Sequence, residues 1–199
     1  MKRLVLASGN PGKVREIQAV LAPLDLEVVP QSSLGVPEAE EPYDSFLENA
    51  LAKARHAARA TGLPALADDS GLCVPALDGA PGVHSAYYAG QDGDRETRDA
   101  RNNALLLRNL VDRDRKAYYV CLMVAVRDAD DRQPIVAEGR WHGEITPEPR
   151  GTNGFGYDPL FYLPGLRKTA AELAPDEKNG ISHRGLALRE LLRKMAQWK

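Results

Sequence analysis

Short apolar runs and helical stripes follow one another along the first third of the chain. Leu4-Val5-Leu6-Ala7 reads as a buried strand, and Asn10 followed by Pro11 has the chemistry of a helix N-cap and first helical residue. Val14, Ile17 and Leu21 recur at helical spacing, so strand, tight loop and helix succeed each other. Leu26-Glu27-Val28-Val29 predicts a second strand suited to pairing beside the first. The clearest helix covers 45–60. Ser45 and Glu48 form a capping-box pattern, Leu47, Ala50, Leu51, Ala54 and Ala58 make one apolar stripe, and Gly62 ends it. Pro64-Ala65-Leu66-Ala67 predicts a short strand that stops at a turn, Asp68-Asp69-Ser70-Gly71.

Further on, the polar, glycine-rich stretch 78–93 reads as loop and 97–110 as helix. Two longer strands, 117–127 and 135–145, flank the turn Asp128-Ala129-Asp130-Asp131. The stretch 150–159 is too rich in glycine to be anything but loop. A last helix over 184–197 turns Leu188, Leu191, Leu192 and Met195 inward. This order predicts an α/β protein with a mixed β-sheet flanked by helices. With 199 residues, one domain spanning 1–199, built as two lobes, is the economical organisation.

Composition narrows the function. Hydrophobic residues at 43% and charged residues at 27% exclude wholesale disorder. The 26 basic side chains nearly cancel the 28 acidic ones, leaving a formal charge of -2 and a pI near 6.1. A bulk nucleic-acid binder carries a strong positive excess, so an anionic partner here is a small ligand held by a local cluster. Met1-Lys2-Arg3 has a signal-like charge, but the apolar run behind it is too short for export. The longest apolar stretch, 118–126, has about half the length of a membrane-spanning helix. Cys73 and Cys121, without a CxxC pattern, indicate no disulfide framework, and a cytoplasmic location is expected.

Several segments carry chemistry. The loop Ser8-Gly9-Asn10-Pro11-Gly12-Lys13, between strand and helix, aims backbone N–H groups and the positive end of the helix dipole above the strand, and Lys13 adds a full charge. It is not a Walker A loop, which needs Gly where Ala7 stands and Ser or Thr where Val14 stands. A plain capped helix after a tight turn remains the alternative. Asp68 and Asp69 offer hard oxygens suited to Mg2+, and as neighbours on an extended chain they face opposite ways. The same four residues also make an ordinary turn. Glu38, Glu40 and Glu41 form a further acidic group whose alternative is a solvated face. For Glu48 the alternative is the capping box with Ser45, and for Lys53 a solvent-facing charge. Phe155-Gly156-Tyr157-Asp158 offers a ring to stack on a base and a carboxylate to accept from it, or a loop plugged into the core. Lys178 and Ser182-His183-Arg184 add donors before the last helix, while His84 and His142 read as structural or surface residues.

These segments together resemble the inosine triphosphate/xanthosine triphosphate pyrophosphatase family, through Ser8 to Lys13, Phe46-Leu47-Glu48-Asn49-Ala50, Ala67-Asp68-Asp69-Ser70-Gly71, Gly154 to Pro159 and Ile181-Ser182-His183-Arg184-Gly185. Each piece is weak, and five in the same order are specific. The resemblance implies hydrolysis of non-canonical purine nucleoside triphosphates (ITP, dITP, XTP) to monophosphate and pyrophosphate. It also implies Mg2+ as cofactor and an elongated fold with the active-site cleft between two lobes, usually a homodimer. It further implies that Ser8, Gly9, Asn10, Pro11, Gly12 and Lys13 hold the triphosphate, joined by Lys53, and that Asp69 is general base and metal ligand beside Ser70. Phe155, Gly156, Tyr157, Asp158, Lys178, His183 and Arg184 would surround the nucleotide, chiefly its base. Glu41 is the expected second metal carboxylate, with Glu40 and Glu48 as rivals, and the role of Asp68 is open. Where many relatives carry a Thr-Gly stretch before the Phe of the capped helix, this chain has Pro42-Tyr43-Asp44-Ser45. The competing readings are a pyrophosphatase for pyrimidine or modified nucleotides, a nucleotide-sensing module without turnover, and a nucleic-acid-binding domain.

Overall fold

Alternation along the first strand, β1 (Lys2–Ala7), divides the interior around it into two cores. Leu4 and Leu6 pack with Ile17 and Leu21 of α1 (Pro11–Leu21), whereas Val5 and Ala7 pack with the alanines of α2 (Phe46–Thr61). The coordinates are a computed structural model that describes residues 2–22 and 26–196. Met1 of the signal-like start and Gln197 of the expected last helix lie outside the described residues.

The sheet has seven strands in the order β2-β1-β3-β4-β5-β6-β7. They are β1, β2 (Leu26–Pro30), β3 (Ala65–Cys73), β4 (Lys116–Val126), β5 (Ile135–Ile145), β6 (Phe161–Leu163) and β7 (Lys168–Thr169). β1 pairs in parallel with β2 and β3, and β6 pairs antiparallel with β5 and β7, so the sheet is mixed, as the element order predicts. The remaining helices are α3 (Arg95–Asn109), α4 (Pro175–Ile181) and α5 (His183–Met195).

The chain divides into two compact units. One comprises the residues up to Asp69, Cys121–Gly139 and those from His183 onward; its cores lie under α1 and α5 on one sheet face and under α2 on the other. The other comprises Ser70–Val120 and Arg140–Ser182, around Leu72, Leu106, Tyr119, Trp141, Tyr157 and Phe161.

Three expectations change. The strand expected to stop at Ala67 continues to Cys73, because Asp68 and Asp69 meet Lys13 of α1 and Lys53 of α2 and need no turn to reach water. The inner face of α2 is Asn49, Ala50, Lys53, Ala54, Ala57 and Ala58, while Leu47 stays exposed. Small alanines let the helix lie close on Val5, Ala7, Ala65 and Ala67, and there the polar pair rides with them. Within the expected loop 78–93, Gly82–Tyr87 winds into a 3₁₀ turn. The short elements β6, β7 and α4 lack the period needed to announce themselves.

Candidate active site

Asp68 has the parity of Leu66 in β3 and faces α1 and α5. Its carboxylate, wholly withdrawn from water, lies 3.1 Å from Lys13 Nζ and 3.5 Å from the Arg184 guanidinium, which also pairs with Glu16. Burial pushes the Asp68 carboxyl up, but Lys13, Arg184 and Lys53 outweigh it and hold the group well below the usual carboxylate range. The buried Cys121 thiol donates to the same carboxylate at 3.9 Å.

Asp69, on the opposite face, meets α2. Its Oδ1 accepts from Lys53 Nζ at 3.4 Å and its Oδ2 from the Asn49 amide at 3.3 Å. Lys53 also donates to Glu41 at 3.1 Å, so one ammonium group bridges two carboxylates. Burial is the largest influence on Asp69 and raises its pKa. Lys53 and Lys13 pull it down, Glu41 and Asp68 push it up, and the net direction is upward. For Lys53, burial disfavours the charge, yet Asp69, Asp68 and Glu41 overcome this and raise its pKa. A carboxylate with a raised pKa, held between two donors, is equipped to take a proton from water.

Asn49 is the residue that sequence reasoning does not single out. Its amide accepts from the Tyr43 N–H at 3.1 Å and donates to the Tyr43 carbonyl at 2.9 Å, besides reaching Asp69. The segment that departs from the family pattern is thereby tied to the carboxylate. The available signal is a polar residue on an alanine face, one helical turn before Lys53.

The loop after β1 is built as predicted at its cap. Asn10 Oδ1 accepts from the N–H groups of Gly12 and Lys13 at 2.9 and 3.2 Å, and Pro11 opens α1. Those two N–H groups are thus occupied by the cap, and Lys13 is the loop's long-range charge. Ser8 is buried and its hydroxyl accepts from the Asn10 N–H at 3.3 Å. Beside Gly9 lies the carboxylate of the exposed Glu38, a flexible side chain that can swing aside. Among the acidic rivals, Glu41 pairs with Lys53, whereas the Glu48 N–H donates to Ser45 as half of the predicted cap. Among the described residues no group of three or more His, Cys, Asp and Glu side chains is arranged to hold a metal ion. Asp69 and Glu41 supply two hard oxygen donors already gathered around a cation, which suits Mg2+ completed by phosphate oxygens and water.

In the second unit, the half-buried Ser70 follows Asp69 along β3. Phe155 is half-buried, and the Arg95 guanidinium and Lys178 ammonium lie 4.6 and 5.0 Å from its ring centre. Asp158 accepts from the Phe155 N–H at 2.8 Å and from Lys178 at 2.6 Å, gathering three of the expected residues. Tyr157 instead lies in the core, its hydroxyl donating to the Ser85 carbonyl at 2.9 Å. Lys178 sits on α4, and His183 and Arg184, both buried, begin α5 in the first unit.

The chain is similar to known proteins over nearly its whole length. A dITP/XTP pyrophosphatase of Ralstonia nicotianae is 61% identical over 98% of this chain and 97% of its own. One from Burkholderia pseudomallei is 60% identical over 98% and 94%. Among solved structures, a HAM1 protein from Coxiella burnetii superposes with a TM-score of 0.90 at 48% identity, over 99% of this chain and 100% of its own. The Staphylococcus aureus Ham1 protein gives 0.85 at 38% identity, covering both chains fully at 100%. The pattern that defines the Ham1 family matches residues 4–194, and the chain belongs to that family.

Proposed function

We propose that this chain, as one catalytic domain over 1–199, hydrolyses non-canonical purine nucleoside triphosphates (ITP, dITP and XTP) to the monophosphate and pyrophosphate. The observation that carries this reading is Asp69, a buried carboxylate of raised pKa held between Lys53 and Asn49. The names of the dITP/XTP pyrophosphatase relatives supply the substrate class.

Release of pyrophosphate requires water to attack the α-phosphorus. Asp69 takes the proton from that water, oriented by Lys53 on one oxygen and Asn49 on the other. Lys13 and Lys53 donate to phosphate oxygens whose charge grows in the transition state, assisted by Ser8 to Gly12 and Ser70. Asp69 and Glu41 would hold Mg2+, which when bound neutralises phosphate charge and polarises the reacting centre. Phe155 stacks on the purine, with Asp158 and Lys178 beside it and Gly156 and Tyr157 shaping the loop.

Base selection follows from hydrogen-bond polarity. Hypoxanthine and xanthine carry an acceptor oxygen at C6, where adenine carries a donor amino group. Donors from the turn that carries His183 and Arg184 satisfy the oxygen and meet a second donor in the amino group of adenine, a mismatch that discriminates by roughly 10⁴-fold. Because Arg184 also pairs with Glu16 and Asp68, Arg184→Ala is read as the ITP-to-ATP ratio with stability monitored in parallel. An unchanged ratio removes Arg184 from base selection.

The family resemblance favours a homodimer, and the near-neutral charge favours a nucleotide rather than a nucleic acid as partner in the cytoplasm. No helix of the described residues is long and apolar enough to cross a membrane. Product analysis with Mg2+ on ITP, XTP, GTP, ATP and dTTP tests the central claim. Pyrophosphate with IMP or XMP, and little from ATP, is expected. Orthophosphate with a diphosphate product would move the attack to the γ-phosphate and overturn the mechanism.

A further inference from the structure

We infer that one face of α3, formed by Arg95, Asp99 and Asn103, is a positioning device for Phe155 and sets the affinity for the nucleobase. The inference rests on the reading of Phe155 as the residue that stacks on the purine. The three residues are spaced four apart, so they line one stripe of the helix.

That stripe grips the glycine next to Phe155 at both of its peptide groups. Asp99 Oδ2 accepts from the Gly156 N–H at 2.9 Å, and Asn103 donates to the Gly156 carbonyl at 3.0 Å. Gly156 has φ of 63°, in the left-handed region where a side chain is strained, so the loop's path relies on glycine and on these bonds. The same Asp99 oxygen lies 3.7 Å from Arg95 Nε, and the Arg95 guanidinium lies 4.6 Å from the Phe155 ring centre. One carboxylate therefore anchors both the backbone after the ring and the cation beside it. Asp158 completes the hold by accepting from the Phe155 N–H at 2.8 Å.

A stacking ring is useful only if its plane is set before the ligand arrives, because ordering it afterwards subtracts from affinity. Arg95 restricts the ring through a cation–π contact, and Asp99 and Asn103 restrict the chain that carries it. None of the three needs to touch the substrate. Their loss should weaken binding of the base without affecting recognition of the phosphates.

Asp99→Leu, Asp99→Asn, Arg95→Gln and Phe155→Ala are compared for ITP turnover and for inhibition by inorganic tripolyphosphate, which has no base. Asp99→Leu is expected to raise the KM for ITP about tenfold, the scale of a lost hydrogen bond to a charged group, with the tripolyphosphate inhibition constant unchanged. Asp99→Asn keeps an acceptor for Gly156 and is expected to recover most of that loss. Arg95→Gln, at a partly exposed position in the first turn, is expected to raise KM about threefold and gives a reading even if Asp99→Leu does not fold. An unaltered ITP KM in folded Asp99→Leu and Arg95→Gln, with Phe155→Ala impaired, overturns the positioning role. Equal weakening towards ITP and tripolyphosphate overturns it too, as general damage. An unaltered KM in Phe155→Ala sinks the stacking reading itself.

Discussion

Asp68 and Asp69 are consecutive in β3, yet their carboxyl groups depart from an ordinary aspartate in opposite directions, Asp68 downward and Asp69 upward. Strand alternation is the cause. One side chain enters a nest of Lys13 and Arg184, and the other meets Lys53, which it shares with Glu41 and which burial outweighs. A single step along the chain thus separates a permanent anion from a proton acceptor.

Asp69→Asn removes the acceptor and keeps the shape. Turnover is expected to fall about a hundredfold or more, the scale of a lost acid–base group. Because the folded pKa is raised, ionised Asp69 opposes folding as pH rises through that value, so the neutral variant should unfold at a slightly higher temperature near pH 7. Without Mg2+, the thermal midpoint of the wild type should carry a fall with rising pH, from the ordinary aspartate value through the raised one, that Asp69→Asn lacks. Steady-state rates, with thermal unfolding of both proteins against pH, check this. Near-normal turnover in folded Asp69→Asn would remove Asp69 as the base.

Asp68→Asn leaves the buried cations Lys13 and Arg184 short of a counter-charge. A loss of about 3 kcal/mol of stability is expected for breaking a buried pair. The wild-type group has a lowered folded pKa. Its contribution is therefore complete above the unfolded value of about 3.9 and disappears as pH falls through the folded value. Urea unfolding between pH 7 and pH 3 should show the wild type more stable than the variant throughout, with the gap starting to narrow only below the unfolded value of about 3.9. Parallel curves separated by less than the error would mean that Asp68 does not hold these cations.

Asn49→Ala cuts the tie between Asp69 and the Tyr43 segment that leads back to Glu41. Stability should fall by about 1–3 kcal/mol for the unpaired Tyr43 peptide groups. The Mg2+ concentration for half-maximal activity should rise more than the KM for ITP, because the two carboxylates are no longer held in register. Direct titration with Mn2+ followed by electron paramagnetic resonance gives the same comparison without turnover. Unchanged Mn2+ affinity in the folded variant would confine Asn49 to a structural part.

How far the sequence foretold these features depends on whether a feature repeats. β1, α1, α2, β5 and α5 carry a period or a cap, and all were legible in the sequence, down to Asn10 at the N-cap and Ser45 before α2. The path of β3 was not, because Asp-Asp-Ser-Gly has turn chemistry, and only the distant Lys13, Lys53 and Arg184 make it strand. The candidate residues were visible as types, but their partners were not. Nothing local tells that Asn49 faces Asp69 across 20 positions, or that Asp99 reaches Gly156 across 57. Tyr157 looks like a loop aromatic until its hydroxyl finds the Ser85 carbonyl inside the core.

Gly139 is where α5 is seated on β5. A Cβ there would stand 2.1 Å from the His183 carbonyl oxygen and 2.6 Å from the Ala187 nitrogen. Both are backbone atoms of α5, so no side chain can swing aside and the helix start itself must shift. Gly139→Ala is therefore expected to lose about 1–3 kcal/mol, the scale of overpacking. The displacement falls on the turn that carries His183 and Arg184, and it should loosen the preference for ITP over ATP beyond any change in kcat. Thermal unfolding, together with kcat/KM for the two nucleotides, tests both halves. A folded variant with unaltered midpoint and unaltered ratio would mean that the seat of α5 has no part in base selection.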